Sequence, residues 1–220
     1  MMTKLTHSYS ALAMYENCPK RYFHQRVEKS VRDSGSPATA YGERVHKALE
    51  LRLNGEAPDM TDETKQYAAL CDALERKAAG GVLTVEEEMT LNAKLEPTGW
   101  WDADAWMRSK IDVLIRKGDR AWVLDWKTGK RRVNPAQLEL FALQTFLHYP
   151  EIDKLTATFI WLKVGKSDSR DYERRYLPGL TASMLSKVQR VERSLAEDEW
   201  PARPSGLCGW CPCKDMCEFS

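Results

Sequence analysis

The stretch Ala121-Trp122-Val123-Leu124-Asp125-Trp126-Lys127-Thr128-Gly129-Lys130 decides how this chain is read. An apolar run delivers an acid and a lysine two residues apart. Side chains alternate faces along a strand, so Asp125 and Lys127 are expected on the same side of it. Upstream, Lys110-Ile111-Asp112-Val113-Leu114-Ile115 has the same character. Ile111, Val113 and Ile115 are expected to face the core, which turns Asp112 to the other side. Two neighbouring strands then present two carboxylates and an ammonium from a rigid base. Such a set can hold a hard divalent ion and poise a water beside it. Alone, an Asp-x-Lys pair on a strand is also what an ordinary solvated face looks like.

Two further residues point the same way. Residues 38–54 read as a helix, because Val45, Leu49 and Leu53 recur every four positions and Asn54-Gly55 supplies a stop. Gly42 and His46 are four apart and share a face of it. A glycine inside a helix costs about 1 kcal/mol relative to alanine, which is understandable if another group must approach the backbone there. The His46 imidazole can ligate a divalent metal or contact a phosphate; the bland reading is a solvent-facing histidine. Downstream, Asn134 can cap a helix whose first turn holds Pro135 and Gln137. That places Gln137 just after the Asp-x-Lys strand.

The chain has six cysteines. Cys208, Cys211, Cys213 and Cys217 crowd the C-terminal stretch, Cys18 precedes Pro19, and Cys71 sits in a helical stretch as a small buried hydrophobe. Nothing resembles a signal peptide and no apolar run approaches a membrane span, so a cytoplasmic, reducing compartment is expected. Clustered thiols there bind metal more often than they form disulfides. Zinc and an iron–sulfur cluster both accept four thiolates.

The ordered set Cys18, Gly42-x3-His46, Asp112, Asp125-x-Lys127, Gln137-x3-Phe141 and Cys208-x2-Cys211-x5-Cys217 resembles the RecB-type branch of the PD-(D/E)XK nucleases. More narrowly it is similar to the iron–sulfur members: the AddB nuclease domain, the CRISPR-adaptation nucleases and small phage-type exonucleases. The resemblance implies Mg²⁺ or Mn²⁺ held by His46, Asp112 and Asp125 with help from the Trp126 carbonyl. Lys127 would orient or activate the attacking water, and Gln137 would support the site. Cys18, Cys208, Cys211 and Cys217 would hold a [4Fe–4S] cluster, with zinc as the alternative, stapling the two ends of the chain together. The implied activity is hydrolysis of DNA at ends or in single strands, by an exonuclease that a helicase or recombinase partner could supply with substrate. A CRISPR-adaptation-type endonuclease and a non-catalytic DNA-binding subunit are the alternatives. The sequence departs from the family pattern at Phe141, where tyrosine is usual, and at Cys213, an extra thiol in the cluster loop. A further acid is expected on an early strand, and Glu86, Glu87, Glu88 and Glu96 compete for it.

At 220 residues and 43% hydrophobic content the chain can bury one good core. A single domain over 1–220 is expected, with segments 1–30 and 200–220 forming the iron–sulfur subregion. The expected order is helices 9–16, 19–26, 38–54 and 62–79, a loop around 34–37, and strands 83–95, 106–116 and 120–127. Helix 135–148, strands 154–164 and 170–177, and helix 181–197 follow. That pattern predicts an α/β fold, a restriction-endonuclease-like central mixed sheet flanked by helices. The net charge of +1 by itself argues against bulk electrostatic binding to nucleic acid. The distribution is uneven, however. Residues 116–132 hold seven basic groups against two acids, a net of +5, and residues 18–32 hold five against one, a net of +4. Lys130, Arg131 and Arg132 are therefore candidate DNA contacts. Trp100, Trp101 and Trp106 precede the Asp112 strand; an exposed tryptophan can stack a splayed base, although core packing is the commoner fate.

Overall fold

Residues 120–127 form a strand, and the segment after them a helix at 135–148, with the expected bounds. The computed structural model describes residues 5–33, 35–56, 60–132 and 134–219. Ser34, in the expected loop, lies outside them. The described chain divides into two units: residues 35–180, and the two terminal segments up to 34 and from 181 onward.

The first unit is a five-stranded mixed sheet: β1 (Val82–Leu91), β2 (Met107–Lys117), β3 (Arg120–Lys127), β4 (Lys154–Trp161) and β5 (Lys166–Glu173), paired in that order. All pairings are antiparallel except β3 with β4. A parallel pair needs a crossover, supplied here by α5 (Pro135–His148), which Asn134 caps by accepting the Ala136 N–H at 3.0 Å. Arg174 closes the other end of the crossover. Its guanidinium donates to the carbonyls of Phe146, Tyr149 and Ile152, three acceptors at or just beyond the end of α5. Helices α3 (Pro37–Leu53) and α4 (Ala68–Ala78) cover the sheet through Val45, Leu49, Cys71 and Leu74, packed with Val113, Ile115, Leu124 and Trp126. Because Leu124 and Trp126 point to that layer, Asp125 and Lys127 turn the other way, toward α5.

Several boundaries moved. The strand expected at 83–95 ends at Leu91, the one expected at 154–164 ends at Trp161, and the helix expected from 181 begins at Leu177. The strand expected at 170–177 runs from 166 to 173. Leu162–Val164 forms a 3-10 turn and Gly165 takes φ 59, so the chain reverses early. β5 is a charged edge strand with almost no apolar alternation to read. The helix expected from 62 begins as a 3-10 turn at Lys65–Tyr67 and becomes α4 only at Ala68.

The second unit joins α1 (Tyr9–Asn17), the short α2 (Pro19–Tyr22) and a π-turn at Phe23–Val27 to α6 (Leu177–Glu197) and the cysteine-rich tail. Tyr15, Tyr22 and Phe23 surround Trp200, with ring centroids 5.4–6.4 Å away. Tyr15 donates to the Arg190 carbonyl at 2.8 Å, and Glu16 takes Lys187 and Arg190 at 2.6 Å each. Lys20 pairs with Glu218. No helix among the described residues is long and apolar enough to cross a membrane.

Candidate active site

The expected residues of the sheet unit converge where β2 and β3 part. Their pairing stops at Val113 and Leu124. One residue further along β2, Asp112 takes the freed Trp126 N–H on its Oδ2 at 2.6 Å. Its Oδ1 lies 3.2 Å from Nδ1 of His46, carried in on α3. Asp112 is thus fixed by a backbone donor on one side and an imidazole on the other.

Plain alternation does not place Asp112. Ile111, Val113 and Ile115 are all buried, as expected, but the β1–β2 ladder skips one residue pair. Val85 pairs with Val113 and Glu87 with Ile111, while Glu86 and Asp112 between them do not pair. Glu86 has φ 55, a left-handed conformation uncommon for a residue with a side chain. The break shifts the alternation by one. Val113 and Ile115 face α3, yet so does even-numbered Lys110, which lines a cleft with His46, Lys47 and Glu50. The break also settles which acid joins the site. Glu87 accepts from Tyr149 and Glu96 from Asn92. Glu88 sits opposite Lys110 in the ladder. Glu86 alone of the four is turned to His46 and Asp112, and one ligand atom from each of the three residues lies within 4.8 Å of the others. Three adjacent glutamates gave no sequence signal for this choice; a strained backbone makes it.

Asp125 and Lys127 share a face, as expected, with Nζ 2.5 Å from Oδ2. Gln137, from the first turn of α5, bridges them: its Oε1 accepts from Lys127 at 2.9 Å and its Nε2 donates to Asp125 Oδ1 at 2.9 Å. Burial first, and then the Asp112 charge, raise the Asp125 carboxyl to about 6, although Lys127 and His46 pull it down. For His46, burial alone would lower the imidazole; the hydrogen bond and charge of Asp112, with Asp125 and Glu86, outweigh it and raise the group overall. Both carboxyl-rich surroundings favour an added positive charge. Asp125 Oδ2 is buried against the Lys127 ammonium. One nitrogen and several carboxylate oxygens around an open cleft of about 500 Å³ fit a hard divalent ion.

Gly42 explains itself here. A Cβ on it would stand 2.9 Å from Thr128 Oγ1, so the missing side chain lets the segment after Lys127 press against α3. Lys130, Arg131 and Arg132 follow in an exposed loop. Arg131 is held by Asp168, which also accepts from Trp161 Nε1 at 2.6 Å.

These residues form one pattern: a strand bearing Asp-x-Lys, an acid on the preceding strand, a helix histidine and a glutamine behind them. The profile of the PD-(D/E)XK nuclease superfamily matches residues 6–218. The chain belongs to that superfamily. Two solved structures share its fold. One, named SSO0001, is 13% identical with a TM-score of 0.51, covering all of this chain and 89% of that one. The other, named "Putative exonuclease" and from Eubacterium rectale, is 15% identical with a TM-score of 0.53, covering 97% of this chain and 88% of that one. At these identities the likeness is one of fold. No curated protein matches the chain.

In the terminal unit several of the thiols lie near enough to act on one another. Buried Cys213 feels Cys211 and Cys18, and Lys20 feels Cys217 and Cys18. Burial first, then Cys211, push the Cys213 thiol up to about 11. Among the described residues no three cysteine sulfurs lie within 4.8 Å of one another. Cys71 belongs to the sheet unit, buried on α4 with Val45 and Leu49 of α3.

Proposed function

We propose that this superfamily member is a divalent-metal-dependent deoxyribonuclease, acting as an exonuclease on DNA ends or single strands. The observation that carries the reading is the pairing of two sets on adjoining strands: the His46–Glu86–Asp112 donor group and the Asp125–Gln137–Lys127 bridge. His46, Asp112 and Asp125, with the Trp126 carbonyl, would hold Mg²⁺ or Mn²⁺, and Glu86 joins them. The bound ion supplies Lewis-acid charge that offsets the negative charge growing on the phosphate and acidifies a nearby water. Lys127 holds that water for in-line attack. Gln137 keeps Lys127 and Asp125 in register, and the Asp112–Trp126 hydrogen bond fixes the spacing of the two carboxylates. Lys130 and Arg132 flank the site as phosphate contacts, while Arg131 braces the loop through Asp168.

Both units serve one nuclease domain in this reading. Cys18, Cys208, Cys211 and Cys217 would hold a [4Fe–4S] cluster, whose thiolates bind different iron atoms and stand further apart than zinc ligands do. Zinc on the same thiolates is the alternative. The role of the bound group is structural, tying the N-terminal helices to the C-terminal tail.

The test is cleavage of end-labelled linear and circular single-stranded DNA with Mg²⁺ or Mn²⁺. Shortening of linear DNA with circles left intact supports an exonuclease. Cut circles indicate the endonuclease alternative, and no cleavage of either by well-folded, iron-replete protein indicates an accessory subunit.

A further inference from the structure

The connection between β1 and β2 carries a feature the active site does not use. Asp102 N–H donates to the Gly99 carbonyl at 3.2 Å, closing a tight turn with Trp100 and Trp101 at its centre. The Asp102 carboxylate staples the turn from below, accepting the Gly99 N–H at 2.7 Å and the Thr98 hydroxyl at 2.8 Å. Those hydrogen bonds hold the Asp102 carboxyl below its ordinary range. A Cβ on Gly99 would strike this carboxylate at 2.7 Å, so the staple requires glycine. The base of the loop is pinned by Thr98 N–H to Thr90 and Trp106 N–H to Leu91. The turn is therefore rigid, and it holds Trp101 85% exposed. Burial would normally claim so large an apolar surface.

Arg108, on β2, lies beneath the pair. Its guanidinium carbon is 5.2 Å from the Trp100 ring and 5.5 Å from the Trp101 ring. Among the described residues it has no carboxylate partner, and its buried Nε makes no hydrogen bond. A guanidinium spaced against two indoles and left without an anion is a ready phosphate contact. Arg108 and Lys110 sit four and two residues before Asp112. At about 3.4 Å per residue, Arg108 stands roughly 14 Å along β2 from Asp112. Four stacked nucleotides span about that length, and fewer span it when the strand is extended. Lys110 lies midway, pairing with Glu86 at 2.7 Å and opening on the same cleft.

We propose that Trp101, backed by Trp100 and Arg108, is a stacking platform for one unpaired base of single-stranded DNA, a few nucleotides from the phosphate being cut. The strand's backbone runs along β2 past Lys110, and Arg108 takes a phosphate while its neighbour base lies on the exposed indole. The proposal rests on the nuclease reading for its direction of travel, and it adds a substrate-binding site apart from the metal. An aromatic face stacks any base, so the platform confers preference for unpaired strands without sequence preference.

Three measurements test it. The first compares kcat/KM on an end-labelled thymidine oligonucleotide with that on thymidine 5′-p-nitrophenyl phosphate, too small to reach the platform. The ratio of the two should fall about 10-fold or more in Trp101→Ala, given what base stacking contributes. It should fall in Arg108→Ala as well, and Trp101→Phe should recover most of the loss. The second moves a single abasic nucleotide stepwise from the cut site. One position within about four nucleotides should weaken the parent, and Trp101→Ala should be insensitive to it. The third is fluorescence anisotropy of the oligonucleotide with Ca²⁺ and Asp125→Asn protein, which reads binding even if nothing is cleaved. A parent that cuts neither substrate defeats the nuclease reading and leaves the anisotropy result standing. Unchanged oligonucleotide binding and an unchanged ratio in Trp101→Ala overturn the platform. A Trp101→Ala effect on self-association alone would assign the surface to protein docking instead and equally overturn it.

Discussion

The sheet unit and the terminal unit gather possible metal ligands in opposite ways. In residues 35–180, three strands and two helices each deliver one or two donors, and hydrogen bonds lock them before any ion arrives. In the terminal unit, Cys213 lies near Cys211 and Cys18, and Lys20 near Cys217 and Cys18, with no three cysteine sulfurs among the described residues within 4.8 Å of one another. The first set is hard, partly exposed on a cleft and built by secondary structure. The second is soft and sits on short 3-10 turns. The difference teaches what each would do on losing its metal: the sheet site should lose chemistry and keep its fold, and the thiol site should lose its fold first.

The largest break in that comparison comes from Asp125→Ala and Lys127→Ala. Cleavage should fall to background in the first, and by roughly 10²–10⁴-fold in the second, as loss of a group that handles the attacking water does. Circular dichroism and melting temperature should barely move. Near-parental turnover in either folded variant would dissolve the assignment.

Glu86→Gln sharpens the same side. It keeps the shape but removes a charge from the donor group, so cleavage should need at least ~10-fold more Mn²⁺, the scale seen when support around a metal ligand is lost. An unchanged Mn²⁺ titration would remove Glu86 from the ligand set.

On the other side, Cys18→Ala should lose iron, melt earlier and expose residues near the termini to protease. Cys71→Ala, a buried thiol in the α3–α4 layer, should cost only about 1 kcal/mol and keep the iron. Full iron content in Cys18→Ala would hand its place to Cys213.

A smaller effect separates the units by pH. Burial, and then the Arg26 charge, push the terminal unit's His7 down to about 4. The unfolded chain therefore takes up that proton first. His7's contribution is full above about pH 6.5 and is lost as pH falls toward 4, at most about 3 kcal/mol. Urea unfolding of His7→Gln should show a flatter slope across that window than the parent; parallel slopes would count against it.

The smallest is at Gly42. Alanine there gains about 1 kcal/mol of helix propensity but meets Thr128 Oγ1 at 2.9 Å. The gain should appear only in the Thr128→Ala background, as a non-additive double-mutant cycle. Simple additivity would mean Thr128 moves aside at no cost.

Legibility followed the strength of local signals. β3 and α5 were readable to the residue because an apolar run, an asparagine cap and a following proline all agreed. Gly42 and His46 were readable because helical spacing put them on one face. Glu86 was not, because its selection depends on a positive φ that no glycine announces and on a skipped pair in the ladder. The bounds of β5 were not, because its charged residues show no alternation and its start is set by a tight turn at Gly165. The Trp100–Trp101 turn was half legible: Thr98, Gly99 and Asp102 mark it in the sequence, but only the fold puts Arg108 under it. Arg174, which closes the end of α5, left no signal at all, since an arginine near a strand end reads as surface.

On the proposed reading, an exchangeable ion at the sheet site drives hydrolysis while the thiols hold a separate, fixed group. The most direct test is to treat protein purified without oxygen with chelator, remove the chelator, and follow linear single-stranded DNA cleavage together with iron content. Cleavage should vanish and return on adding Mn²⁺ or Mg²⁺, with the iron unchanged throughout. Cleavage that persists without added metal, or that tracks the iron instead, would contradict the account.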